Sequence, residues 1–264
     1  GSRACTRGIS SKRKSPAPTS TISGQADAPV NLLLLSEEDR VEGETFSVSD
    51  GRLQHLLEVH GATVGSTVRV GLLNGPMGEG RLEQIDTSRA LLTADLSNPP
   101  PDKIPLSLVL ALPRPKMLRR ILRSVAEFGV PELHLVNSYR VEKSYWQSPV
   151  LTPEVTREYF IQGLAQARDT RLPTVHCHRR FKPFVEDELP GMLAGRRALL
   201  AHPGEYPPCP HNIDAATLLV VGPEGGFIPY EVEKLQAAGC QAVSLGPRIL
   251  RVENAITSLL GRLF

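Results

Sequence analysis

Apolar and polar positions change rhythm twice along this chain. Residues 1–30 are rich in Ser, Thr, Pro and Arg and show no apolar period, which predicts a disordered leader. From Val30 to about Leu96 the apolar runs are short and strand-like. Phe46-Ser-Val, Thr67 to Leu72 and Ala90 to Ala94 are separated by turn signals at Asn74-Gly75-Pro76 and Gly78-Glu-Gly80. Leu53 to Val59 reads as one short helix. A small β-barrel over residues 31–98 is the architecture expected of such a unit. The proline-rich stretch from Ser97 to Pro105 is stiff and strand-breaking, so a domain boundary with a linker at 99–105 belongs there.

Beyond the linker, residues 106–264 alternate strand-like apolar runs with helical periodicity. The runs are Leu106–Leu112, Leu133–Val136, Thr174–Cys177, Ala198–Ala201, Leu218–Val221 and Ala242–Leu245. This alternation predicts an α/β domain with a largely parallel sheet covered on both faces. Pro229 to Gly239 is the clearest helix: Pro229 suits its first turn, Glu231 and Glu233 its positive end, and Gly239 its stop.

Two glycine-proline turns interrupt this pattern, Gly222-Pro-Glu-Gly-Gly226 and Gly246-Pro247. Each follows an apolar run and precedes a helix-like segment. Glycine permits positive φ and close approach of a ligand to the backbone, and proline stiffens the turn. The first lacks the Gly-Lys-Ser/Thr ending of a triphosphate-binding loop and the GxGxxG spacing of a dinucleotide site. One such loop alone is more often structural. Two in successive turns, at the carboxyl ends of parallel strands, predict a ligand pocket.

The segment from Lys116 to Phe128 has two faces. Leu118, Ile121, Leu122 and Val125 follow the helical i, i+3, i+4, i+7 spacing and predict a core-facing side. Lys116, Arg119, Arg120 and Arg123 lie opposite and, with Arg114, form a basic stripe without an acid. A solvated helix face is the plain reading. An unbroken positive stripe repels itself, however, and contact with an RNA backbone would give it a purpose.

Composition narrows the class. At 41% hydrophobic and 22% charged, the chain reads as an ordinary globular protein, with no apolar run near the roughly 20 residues a membrane helix needs. The net charge of +2 conceals a split: residues 1–30 carry +4, leaving −2 on the body. A uniformly basic surface is therefore excluded, and any nucleic-acid surface is local. Gly1-Ser2 reads as a cloning scar, and an Arg/Ser-rich leader also matches an organellar transit peptide. Cys5, Cys177, Cys209 and Cys240 form no CxxC pair and no zinc-ligand spacing, so a reduced, cytoplasmic setting and no metal are expected.

The paired motifs Val221-Gly-Pro-Glu-Gly-Gly-Phe227 and Leu245-Gly-Pro-Arg-Ile-Leu-Arg251, each followed by a helix, resemble the RsmE-like family of ribosomal RNA uracil-N3 methyltransferases, within the SPOUT superfamily. The Lys116-Met-Leu helix ending Glu127-Phe-Gly-Val130 matches too, as does Ala165-Gln-Ala-Arg168 before Leu172-Pro173. The resemblance covers about residues 31–264. It implies a SPOUT-type trefoil-knotted parallel sheet domain preceded by a small PUA-like β-barrel that binds RNA. The knot enters only through the resemblance, since general topology rules run against knots.

The resemblance also implies S-adenosylmethionine as methyl donor and N3 of one uridine in small-subunit (16S) ribosomal RNA as acceptor. Neutral uracil carries a proton on N3, so the enzyme needs a proton acceptor, anion stabilisation and an aligned methyl group. Cofactor binding is expected at Leu199, Ala201 and His202, at Gly222, Pro223, Glu224, Gly225 and Gly226, and at Leu245, Gly246, Ile249 and Leu250. For Ile249 and Leu250 core packing is an equal alternative. Arg168, Arg251 and Glu224 are the catalytic candidates, with Arg248 behind them. Arg114, Lys116, Arg119, Arg120 and Arg123 are the RNA-binding candidates. A homodimer is implied, with Ile256, Leu259, Leu260, Leu263 and Phe264 of the last helix in its interface, although the same pattern serves an internal core. Departures occur at Asn31-Leu-Leu-Leu-Leu35, where family members often carry Arg-x-Phe, and at Arg251-Val-Glu-Asn-Ala255, where they commonly carry Arg-Thr-Glu-Thr-Ala. Another SPOUT enzyme, such as a transfer-RNA ribose methyltransferase, and a non-catalytic RNA-binding protein are the competing readings.

Overall fold

The first strand shows how the two units are joined. Leu33–Leu35 (β1) alternates its side chains: Leu35 enters the core of the N-terminal unit, while Leu32 and Leu34 enter that of the C-terminal unit. A strand buried on both faces needs a continuous apolar run. This explains Asn31-Leu-Leu-Leu-Leu35 in place of a strand carrying arginine. The computed structural model describes residues 31–58 and 61–264. The expected leader at 1–30 and the Val59 end of the first helix lie outside the described residues.

The N-terminal unit adds Arg40–Glu42 (β2), Thr45–Val48 (β3), the helix Gly51–Glu58 (α1), Thr67–Leu72 (β4), Met77–Ile85 (β5) and Ala90–Asn98 (β6). Its sheet order is β1-β4-β5-β6-β3-β2, antiparallel except for the parallel β1/β4 pair. In its hydrogen bonding the expected barrel is an open six-stranded sheet, with no ladder between β1 and β2 among the described residues.

The turn expected at Gly78-Glu-Gly80 is instead part of β5. The glycines there answer to crowding: a Cβ on Gly78 would fall 1.6 Å from the Asp95 carbonyl oxygen, where the β5/β6 register shifts. The turn lies just before, at Asn74, whose φ is +62°.

The C-terminal unit contains Leu106–Ala111 (β7), Pro115–Glu127 (α2), Glu132–Val136 (β8), Pro153–Ala167 (α3) and Thr174–His178 (β9). Two short helices, Phe181–Pro183 (α4) and Leu189–Leu193 (α5), flank a π-helical turn at Phe184–Glu188. Arg197–Ala201 (β10), Thr217–Val221 (β11), Pro229–Ala238 (α6), Gln241–Val243 (β12) and Val252–Leu263 (α7) complete it. All six strands are parallel, in the order β12-β10-β11-β7-β8-β9. The fully buried β7 and β11 lie next to each other near the middle, as their unbroken apolar runs require.

Helix α2 buries Met117, Leu118, Ile121, Leu122, Val125 and Ala126, as its period predicts. Helix α7 buries Ile256, Leu259, Leu260 and Leu263 in the same core. This corrects their assignment to a dimer interface, because they are already covered by their own chain.

Polar contacts tie together the two units and the linker between them. Lys103 pairs with buried Asp169 at 2.8 Å, Thr170 Oγ1 donates to the Gly75 carbonyl at 2.6 Å, and Leu172 N–H donates to Asn74 Oδ1 at 2.9 Å. No helix among the described residues is long and apolar enough to cross a membrane.

Candidate active site

The carboxyl ends of β10, β11 and β12 open into one cleft, where a topological reading of the sheet places a ligand. It is an open cleft with a small interior of about 90 Å³ and a wider mouth. Ala201 and His202 form one wall, Gly222 to Glu224 and Gly226 a second, and Leu245, Gly246 and Arg248 to Leu250 a third. Val252 and Ala255 of α7 contribute apolar surface.

The two glycine-proline turns thus meet across one space, although an entire helix and strand separate them in sequence. Gly226 and Gly246 have φ of +77° and +117°, which side chains on L-residues resist. Ser244 Oγ accepts from Gly246 N–H at 3.1 Å and shapes the second turn.

Electrostatics on the first turn come largely from outside it. Arg140, just past β8, donates to the Gly225 carbonyl. Burial, followed by the Arg140 charge, holds the His202 imidazole below its ordinary pKa and therefore neutral near pH 7. Arg114 N–H donates to Glu224 Oε1 at 3.3 Å, tying the start of α2 to the same turn. Burial, then Glu142 and Glu224, push the Tyr145 phenol up. Beneath the turn, buried Glu231 accepts from Ile228 N–H at 3.0 Å and from Tyr139 N–H at 2.9 Å.

Several predicted site residues fall elsewhere. Leu199 is fully buried mid-strand in β10 and belongs to the core. Gly225 backs onto Arg140, whose Cδ would lie 3.0 Å from an added Cβ, and does not line the cleft. Ile249 and Leu250 are exposed at 82% and 39%, which excludes core packing and leaves them as the cleft's apolar rim. Arg251 is the N-cap of α7, exposed and outside the lining. Arg168 caps α3 in the left-handed conformation, at the junction of the two units rather than at the cleft.

Of the basic stripe, Arg114, Lys116, Arg119 and Arg120 are exposed. Arg123 turns towards α3, where it donates to Gln162 at 2.7 Å and lies 5.0 Å over the Tyr159 ring.

Sequence reasoning missed Arg140, Tyr145 and the bridging role of Glu231. Arg140 had a usable signal: it lies four residues past the end of a parallel strand, in the zone where such folds bind ligands. Glu231 read as a helix-end acid and had no signal for its second partner. Among the described residues no cysteine lines the cleft, and burial pushes the Cys240 thiol up to about 11 and raises that of Cys209.

A family model described as an RNA methyltransferase domain matches residues 100–263. The chain is 30% identical over 237 residues to the ribosomal RNA small subunit methyltransferase E of Treponema pallidum (strain Nichols), covering 86% of this chain and 87% of that protein. It is 28% identical over 239 residues to the protein of the same name from Synechocystis sp. (strain ATCC 27184 / PCC 6803 / Kazusa), covering 88% and 76%. Among solved structures it is similar to ribosomal RNA small subunit methyltransferase E from Neisseria gonorrhoeae bound to S-adenosyl methionine. That match has a TM-score of 0.68 at 21% identity, over 87% of this chain and 95% of that one, and establishes a shared fold.

Proposed function

The chain belongs to the ribosomal RNA small subunit methyltransferase E family, and on that premise we propose that it transfers a methyl group from S-adenosylmethionine to N3 of a uridine in 16S ribosomal RNA. The observation that carries this reading is the meeting of both glycine-proline turns in one cleft at the carboxyl ends of β10, β11 and β12. The cleft suits the cofactor: main-chain groups of two turns face apolar Leu245, Ile249, Leu250, Val252 and Ala255, a surface for a flat adenine. The cofactor supplies an electrophilic methyl group on a positively charged sulfur. Neutral His202 adds no opposing charge to that environment.

On the acceptor side, Glu224 lines the cleft and takes the N3 proton, while Arg114 N–H fixes one of its oxygens. Arg248, in the lining, and Arg251, at the start of α7, stabilise the uracil anion. Arg168, at the junction of the units, grips the RNA strand. The N-terminal sheet is PUA-like and binds RNA with the exposed Arg114, Lys116, Arg119 and Arg120.

The trefoil knot is supported by the segment at 207–213, which holds both the second turn and the end of α7. Ser244 N–H donates to the Pro207 carbonyl at 2.8 Å, and Cys209 N–H to the Ser244 carbonyl at 2.9 Å. Asn212 and Ile213 N–H donate to the Arg262 and Leu263 carbonyls at 2.8 and 2.6 Å. Cytoplasmic residence and self-association complete the proposal. Self-association then uses a surface other than the buried side of α7.

Methyl transfer from labelled cofactor to purified small ribosomal subunits, followed by nucleoside analysis, tests the reaction. N3-methyluridine is the expected product. A ribose-methylated nucleoside would overturn the acceptor assignment.

A further inference from the structure

A second cluster of polar chemistry lies outside the cleft, on one face of the parallel sheet. Alternation along β8 puts Glu132 and His134 on the same face, and the β8/β9 register sets His176 opposite His134. His178 follows two residues later on that face. The His134 ring stacks with those of His176 and His178 at centroid separations of 4.7 and 5.2 Å.

A continuous polar chain runs along the cluster. The Glu188 carboxylate meets His178 Nδ1 at 2.9 Å, His178 Nε2 meets His134 Nδ1 at 2.9 Å, and His134 Nε2 meets Glu132 Oε1. Each of these three contacts requires one hydrogen between its heavy atoms. A neutral imidazole carries one N–H, so two neutral rings supply only two hydrogens. The third contact needs a positive centre, either a second proton on one ring or a bound cation.

We propose that a divalent transition-metal ion, Zn²⁺ by its ligand chemistry, provides that centre, bound by Glu132, His134 Nε2 and His176. One ligand atom from each of these residues lies within 4.8 Å of the others. With His134 Nε2 and the Glu132 carboxylate drawn apart to ligand distance, the ion takes the place of the hydrogen between them. His134 then carries its hydrogen on Nδ1 and donates to His178 Nε2, and His178 donates from Nδ1 to Glu188. Both rings stay neutral and every contact is satisfied. The ligating histidine gains the outer hydrogen-bond partner that orients such ligands.

The surroundings fit. Glu132 Oε2 accepts from Ser107 Oγ at 3.0 Å and lies 4.0 Å from the Arg196 guanidinium, which fixes the carboxylate. The Phe184 ring lies 4.4 Å from that of His178 and 6.3 Å from that of His134, shielding one side. His176 is exposed, so its ring can turn out of the stack onto the ion and leave an entry path. Two imidazoles and one carboxylate, with water in the fourth position, suit Zn²⁺; Mg²⁺ and Ca²⁺ favour oxygen ligands.

The test is a Zn²⁺ titration of the untagged chain against a chromophoric chelator at neutral pH, repeated on a Cys5→Ser/Cys177→Ser variant. One equivalent is expected to bind in both. His176→Gln, at an exposed position, is expected to remain folded by circular dichroism and to weaken binding more than ~10-fold. Glu188→Gln, which alters only the group behind His178, is expected to weaken binding less than His176→Gln does. Zn²⁺ is also expected to raise the Tm of the parent chain and not that of His176→Gln. No saturable binding, equal affinity in His176→Gln, or loss of binding in the cysteine variant would each overturn the site.

Discussion

Buried Glu231 accepts a hydrogen bond from the backbone N–H of Tyr139 at 2.9 Å, joining residues 92 positions apart. Its other oxygen accepts from Ile228 N–H, so one carboxylate fixes both the loop carrying Arg140 and the end of the first glycine turn. The turn and the arginine beside it therefore form one rigid wall. Replacing Glu231 by Leu strands two backbone donors, and about 1–3 kcal/mol for each buried group left unpaired sets the scale. Urea denaturation is expected to show this loss, and calorimetry a weaker affinity for S-adenosylmethionine. Unchanged stability would show that water replaces the carboxylate.

Gly225 and Arg140 are expected to be energetically coupled. A valine at 225 meets the Arg140 side chain before it meets the cleft. Gly225→Val is expected to weaken cofactor binding in the parent chain and to have a smaller effect in Arg140→Ala. The interaction energy should exceed about 0.5 kcal/mol in a double-mutant cycle by calorimetry. Additive effects would place the valine directly in the cleft.

Gly246 carries no crowding, since an added Cβ meets nothing within 4 Å, yet its φ is +117°. Gly246→Ala therefore acts through backbone conformation alone, with a cost on the order of 1–3 kcal/mol. The second turn is expected to rearrange and cofactor affinity to fall. An alanine variant with parental affinity would show that the positive φ is dispensable.

His202 gives the cleft a pH dependence. Burial and Arg140 depress its pKa in the folded protein below the ordinary 6.5. The unfolded chain then binds more protons between the two values, so this contribution to stability is present above about 6.5 and lost as pH falls through that range. A protonated His202 also opposes a positively charged cofactor. Affinity for S-adenosylmethionine is expected to decline below about pH 6.5, and His202→Asn to flatten that decline. Identical pH profiles for the two proteins would remove His202 from the site.

The exposed part of the basic stripe is expected to act on RNA without touching the cofactor. Arg119→Ala/Arg120→Ala should weaken binding to ribosomal RNA and reduce the salt slope by about 0.7–1 for each phosphate no longer neutralised. Affinity for S-adenosylmethionine should be unchanged. A salt slope equal to that of the parent would identify the stripe as a solvated helix face.

Where one element's period decides its environment, the sequence was sufficient. The two faces of α2, the buried runs of β7 and β11 and the first turn of α6 follow from spacing and side-chain chemistry. The two turns were legible as a pocket because glycine and proline constrain φ and ψ wherever they stand.

Other features depended on which distant segments become neighbours. The glycines at 78 and 80 read as a turn in sequence, whereas in the fold Asp95 packs against the first of them. The apolar side of α7 fits a core and an interface equally, and only packing assigned it to the core. Arg140 reaches Gly225 because β8 and β11 flank β7 in the sheet. His134 faces His176 because of strand register, 42 positions being invisible to any local pattern. Local periodicity determines what a segment can bury; only the tertiary structure decides which chemistry it meets there.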